Sequence, residues 1–166
     1  MVAIADTPTA LNHLVLIGCE RLLHQLYAQV LIPAQVLGEL RAAKAPPMVR
    51  GFAQRLPEWI EVHEVALPDD RALARLDAGE AAVIVLAQKL AADLAIIDET
   101  QGRREAASRN LAVTGTLTVP LIAAERDLID FPPTVARLRQ SGFRASTKLI
   151  ERFLDRDRTR RESGGA

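Results

Sequence analysis

A chain of 166 residues, about half apolar and a quarter charged, is long enough for one compact domain with a real core and argues against disorder. Its 21 Lys and Arg balance 21 Asp and Glu, so no global positive field marks a nucleic-acid binder, and any basic patch must be local. The single cysteine, Cys19, excludes an internal disulfide framework and a Cys-based zinc site within one chain.

Val2-Ala3-Ile4-Ala5 is a short apolar run ending at Asp6 and reads as a buried strand. The run lacks a basic n-region and a long apolar segment, so a signal peptide is not expected. No apolar stretch has the length of a bilayer span, and a cytoplasmic location is the default. A helical pattern follows from about Thr9 to Ile17, and Gly18 punctuates it. A second helix, about Glu20 to Leu26, leads into the strand Gln29-Val30-Leu31-Ile32. Pro33 suits the first turn of a helix carrying Val36, Leu37 and Leu40 inward to about Ala43.

Pro46-Pro47 starts a short helix through Phe52 to Leu56. Trp59 to Val65 alternates apolar and polar residues and predicts a half-buried or edge strand. Pro68-Asp69-Asp70 is expected to open a helical segment, and Asp77-Ala78-Gly79-Glu80 opens an Ala-rich apolar helix to Leu90. Leu94-Ala95-Ile96-Ile97 is a strand that again ends at a carboxylate, Asp98. A polar helix from Gln101 to Asn110, a strand Leu111 to Val113, and a helix to about Arg126 follow. Two more helices are expected over Pro132–Arg139 and Ser146–Asp155. Residues 1–155 form a single expected domain, with 156–166 a flexible tail. Strands alternating with helices predict an α/β fold, a three-layer α/β/α sandwich with four or five parallel strands.

Ligands of open parallel sheets bind beyond the carboxyl ends of the strands, where Asp6 and Asp98 stand. For each, the plain alternative is an exit to solvent. Glu80 lies in the first turn of an otherwise nearly uncharged helix, where the dipole alone would favour an acid. Glu39 on pattern alone reads as a solvated helix residue. Hard oxygen ligands of this kind suit Mg²⁺ or Mn²⁺, and a cation relieves the repulsion of gathered carboxylates. Such an ion can lower the pKa of water for phosphoryl displacement without a nucleophilic Ser or Cys. His13, His24 and His63 lack metal-ligand spacing, and no GxGxxG or GxxxxGK[ST] is present.

The ordered segments Ile4 to Asn12, Val30 to Leu40, Leu76 to Ala82, Leu94 to Glu99 and Val113 to Leu117, with Ser141 to Ser146 beyond them, resemble the PIN-domain ribonucleases. The similarity is to the compact prokaryotic branch of VapC-type toxins. It implies a PIN-like fold and metal-dependent cleavage of RNA. It places Asp6, Glu39, Glu80 and Asp98 as the catalytic, metal-binding acids, with Glu99 as an adjacent ligand and Thr7 or Thr9 orienting a ligand or water. It also implies a small antitoxin partner and a homodimer. Pro8 stands where many relatives carry Ser.

Arg41, Lys44, Arg103 and Arg104 are candidate contacts to substrate phosphates, against the plain reading of solvated helix faces. Arg152, Arg156, Arg158, Arg160 and Arg161 are interleaved with acids and read first as solvated charge. A dehalogenase-like phosphatase needs a second Asp where Pro8 stands, and a receiver domain needs paired acids that Thr7 does not supply. The chain is small for a structure-specific DNA nuclease. The serious alternative is a catalytically silent PIN-like module that binds RNA or protein.

Overall fold

The computed structural model describes residues 1–5 and 10–163. Its five strands are β1 (Val2–Ala5), β2 (Gln29–Pro33), β3 (Ile60–His63), β4 (Leu94–Ile96) and β5 (Val113–Thr114). All pair in parallel, in the order β3-β2-β1-β4-β5. Val30, Leu31 and Ile32 of β2 are all buried, so consecutive residues on opposite faces of the sheet are covered. The edge strand β3 differs: Val62 is 41% exposed, as expected where only one side of a strand is paired.

The helices are α1 (Asn12–Leu16), α2 (Arg21–Leu26), α3 (Ala34–Arg41), α4 (Pro47–Gln54), α5 (Ala78–Leu90), α6 (Thr100–Ser108), α7 (Thr118–Glu125), α8 (Phe131–Gln140) and α9 (Thr147–Ser163). They flank the sheet as an α/β/α sandwich. Asp77 caps α5 by accepting the Glu80 N–H at 2.8 Å, and Ala91 ends it in a left-handed turn. Its buried Ala81, Ala82, Val83, Ile84, Leu86 and Ala87 lie against β1, β2 and β4. The short alanines let the helix axis approach the strands closely. Helix α7 presents Val119, Leu121, Ala123 and Ala124 to the core and packs on α2, α8 and α9. One hydrophobic cluster runs from Ala3 to Ile150. No helix among the described residues is long and apolar enough to cross a membrane.

Three expectations change. The segment opened by Pro68-Asp69-Asp70 forms only a single 3-10 turn, Leu73–Arg75. Asp70 caps that turn through the Ala72 and Leu73 N–H groups, and Leu76 is already extended. Leu37 is only partly buried, unlike Val36 and Leu40. The end of the chain is not a loose tail as far as Ser163, because α9 continues through it. There Arg160 reaches Asp127 and Asp157, and Arg161 reaches Asp130 and Asp157. The pairs with Asp127 and Asp130 thus anchor the last turns to the chain between α7 and α8, while buried Asp157 pairs with both arginines within α9.

The connections run from β1 outward through β2 to β3, then return to the other side of β1 for β4 and β5. That reversal opens a crevice at the carboxyl ends of β1 and β4, where Ala5 pairs with Ile96.

Candidate active site

Asp98 follows β4 by two residues, and Asp6 follows Ala5 directly in the chain. Asp6, Thr7, Pro8 and Thr9 lie outside the described residues. The other predicted acids fall on three elements around the crevice. Glu39 comes from the last turn of α3, Glu80 from the first turn of α5, and Asp98 from the β4–α6 junction, beside Glu99 at the amino end of α6.

Three glycines make the approach of these acids sterically feasible. A Cβ on Gly79 would stand 2.8 Å from Glu39 Oε1. One on Gly102 would stand 2.9 Å from Glu80 Oε1 and 3.0 Å from Ile97 Cγ2. One on Gly115 would stand 2.9 Å from Asp98 Oδ1. Each carboxyl therefore rests on bare backbone of the next element: α3 on α5, α5 on α6, and the β4 end on the β5 end.

Glu80 is almost fully buried, and among the described residues its Oε1 finds no hydrogen-bond partner; nor does the buried Oε2 of Glu39. Burial, then Asp77, Glu99 and Glu39, push the Glu80 carboxyl up to about 7, with the Asp77 backbone N–H pulling the other way. Burial also raises the Glu39 carboxyl, helped by Asp77 and opposed by the Gly79 N–H and Lys44. An acid whose ionised form is disfavoured by its own neighbours, and one of whose oxygens lacks a donor, is suited to accept a cation.

Asp98 stands differently. Its carboxyl accepts the Thr116 hydroxyl on Oδ2 and the Thr116 N–H on Oδ1, the latter at 3.0 Å. Burial raises its pKa, against Thr116, Arg103 and His13. Arg103 Nη1 donates to the Ile97 carbonyl at 2.8 Å, which holds the guanidinium beside Asp98. Asp98 thus has a cationic neighbour of its own. His13 sits nearby, 2.8 Å from Ser141 Oγ and edge-on to Phe143. Because Ser141 donates its hydroxyl to the Leu138 carbonyl, His13 Nδ1 is left as the donor. Burial lowers the His13 pKa, against the pull of Asp98.

Glu39 and Glu80 come together, and Glu99 bears on Glu80. Among the described residues, no group of three His, Cys, Asp or Glu converges closely enough to hold an ion. The basic candidates divide as well. Arg41 spends its Nε on the Ala53 carbonyl, tying α3 to α4. Lys44 lines a cavity of about 410 Å³ with Asn12, Glu39 and Asp77. Arg103 lines a second cavity with Asp98, and shares a third with Arg104, Leu111 and Val113.

Sequence reasoning missed Asp77, Thr116, His13 and the three glycines. The spacing Asp77-x-x-Glu80 is a helix-start signature and was available. Thr116, just beyond β5, was available from the strand-end rule. His13 was not, since its place beside Asp98 depends on tertiary packing.

A family model for the PIN domain, DUF3368, matches residues 2–158. No curated protein matches the chain. PIN domains are typically nucleases and commonly use Mg²⁺ or Mn²⁺. The match takes in all five strands and every acid placed above, and the chain belongs to the PIN-domain family.

Proposed function

We propose that this protein is a metal-dependent endoribonuclease that hydrolyses RNA phosphodiester bonds. One observation carries the reading: among the described residues, Glu80 is a buried carboxylate with one orphaned oxygen, set among three other acids, Asp77, Glu99 and Glu39, and seated on the bare backbone of Gly102. A structural carboxylate so buried would be expected to have donors on both oxygens. The donor set is all oxygen, which fits Mg²⁺ or Mn²⁺ better than a softer metal. Glu39, Glu80, Asp98 and Asp6 would hold the ion, with Glu99 at the rim. A bound ion supplies an activated water and charge stabilisation for an in-line displacement. The chain's own residues have separate tasks. Thr116 fixes the Asp98 carboxylate, the α5 amino end positions Glu39 and Glu80, and Arg103 and Lys44 supply positive charge on either side.

The finer assignment, a toxin-like nuclease of the VapC type, rests on the ordered sequence resemblance. With it come a small antitoxin partner, a homodimer and a cytoplasmic setting. A small open reading frame beside this one, and a dimer mass in light scattering, are the observations that bear on it.

The test incubates purified protein with structured RNAs, with and without Mg²⁺ or Mn²⁺, beside Asp6→Asn and Glu80→Gln. Cleavage is expected only from the unsubstituted protein with metal. Equal cleavage by all three proteins would point to a contaminant and sink the reading. A second reading, an RNA- or protein-binding module without cleavage, draws on the lack of a three-ligand cluster among the described residues. It is favoured if no RNA is cut and no divalent ion shifts the melting temperature.

A further inference from the structure

The cavity beside Asp98, about 500 Å³, has a chemistry that the carboxylates do not explain. Arg103, Arg144 and Arg152 line it together with Leu117, Leu149 and Phe153. The arginines of α9 beyond Arg152 are neutralised, Arg156 by Glu125, Arg158 by Asp155, and Arg160 and Arg161 by Asp157, as is Arg109 just past α6 by Asp70 and Glu105. Arg103, Arg144 and Arg152 form no ion pair with any described acid, although Asp98 lies at one end of the cavity. The Arg152 guanidinium lies over the Phe153 ring, 5.5 Å from its centroid, which orients it without neutralising it. Three like charges around one concavity repel one another, and an anion removes that cost. Leu117, Leu149 and Phe153 add apolar surface to the same lining.

Cationic groups and apolar surface together match one unit of a nucleic-acid strand, with phosphate on guanidinium and base on hydrocarbon or ring. The volume falls within the range of about 300–1,000 Å³ that encloses a single small ligand, so it admits one nucleotide and not a duplex. Resting on the RNA reading above, we infer that this cavity seats one nucleotide of a single RNA strand next to the Asp98 end of the active site. Arg144 and Arg152 hold its phosphates, and Leu117, Leu149 and Phe153 receive its base.

The experiment measures fluorescence anisotropy of a labelled single-stranded oligoribonucleotide and of its duplex. It is run in EDTA, so that nothing is cut, between about 50 and 200 mM salt. The proteins are the unsubstituted chain, Arg144→Ala, Arg152→Ala and, as a control, Arg158→Ala. Arg144 and Arg152 are exposed, so their variants should melt with the parent. Arg152→Gln repeats the charge loss while keeping most of the stem. Each cavity variant should bind the single strand several-fold more weakly and lose about 0.7 from the log–log salt slope. The control should change neither, and the duplex should bind more weakly than the single strand. The inference is overturned if Arg158→Ala weakens binding as much as Arg152→Ala, if the cavity variants bind like the parent, or if the duplex binds equally well. Arginine-dependent binding without cleavage in Mg²⁺ would remove the nuclease reading and leave this one. A complete lack of RNA binding would remove both.

Discussion

The two sides of the crevice treat a carboxylate in opposite ways. On the α5 side, Glu80 is buried among Asp77, Glu99 and Glu39, with one oxygen that has no donor among the described residues. On the β4 side, Asp98 is also largely enclosed, but Thr116 supplies both a hydroxyl and an N–H, and Arg103 stands beside it. Burial raises both pKa values, so burial alone does not distinguish them. The donors do. Asp98 is held in one orientation whether or not a cation is present, whereas Glu80 carries an electrostatic cost that the Asp77 N–H only partly offsets. The pair therefore reads as one fixed ligand and one that depends on the ion for its ionised form.

The largest expected effect breaks the comparison at its centre. Glu80→Gln and Asp98→Asn should each lower metal-dependent RNA cleavage by about 10²- to 10⁴-fold, in the range for removing a positioned acid–base group. Their stabilities should diverge. Gln at position 80 removes a charge that the metal-free fold disfavours, so that variant should melt at or above the parent without metal at pH 8. Asn at position 98 loses a charge that two Thr116 donors satisfy, and should not gain stability. Parallel thermal scans decide it, and equal shifts for both variants would erase the distinction.

Removing the orienting partner is a milder intervention on the same side. Thr116→Val keeps the shape and deletes the hydroxyl given to Asp98. Partners that orient metal ligands typically contribute about 10- to 100-fold to metal affinity or activity. The expected outcome is a loss in that range, largest at low Mg²⁺, read from a metal titration of the cleavage rate. A loss that Mg²⁺ does not alter would mean Thr116 supports the fold rather than the ligand.

Much of this arrangement was legible in the sequence. An apolar run ending in Asp98, and Asp77-x-x-Glu80 ahead of a nearly uncharged helix, place two acids by local rules alone. Alternating strands and helices likewise led to the parallel sheet. Glu39 was not legible without the resemblance, because its site character comes from α3 crossing Gly79 on α5. The cavity arginines were mixed with the paired ones for the same reason. Spacing shows that Arg152 and Arg158 share a helix, but not that Asp155 faces only the second. The continuation of α9 was hidden because its fixed points, Asp127 and Asp130, lie some thirty residues away along the chain.

Proton linkage gives a third way to sharpen the comparison. The Glu80 pKa is raised from 4.5 to about 7, so the folded chain binds a proton that the unfolded chain has released. Stability from this group is fully present below about pH 4.5 and is lost as pH rises through about 7. Glu39 and Asp98 shift in the same direction and add to the trend. For metal-free protein, the loss between pH 5 and 8 should be on the order of 2 kcal/mol. Mg²⁺ at pH 8 should recover it by binding only the ionised, folded site. Glu80→Gln should flatten the profile. Denaturant melts at several pH values, with EDTA or Mg²⁺, give the answer, and an unchanged slope in that variant would locate the shift elsewhere.

The smallest effects come from a matched pair of glycines. In a helix interior, Gly→Ala alone stabilises by about 1 kcal/mol. Gly38 has open space around its would-be Cβ and stands one residue before Glu39 on α3. Gly38→Ala should therefore gain about 0.5–1 kcal/mol and leave cleavage unchanged. Gly102, on α6, has Glu80 Oε1 at 2.9 Å and Ile97 Cγ2 at 3.0 Å from the same added atom. Both neighbours are packed, and forced contacts in such places cost about 1–3 kcal/mol, so Gly102→Ala should come out neutral to destabilising despite the same gain in helix propensity. It should also reduce cleavage, because the atom that must move is a carboxylate oxygen of Glu80. Denaturant midpoints and cleavage rates for both variants carry the test. If Gly102→Ala is as stable and as active as Gly38→Ala, the close seating of Glu80 on the α6 backbone is not needed, and the contrast between the two sides of the crevice loses its steric basis.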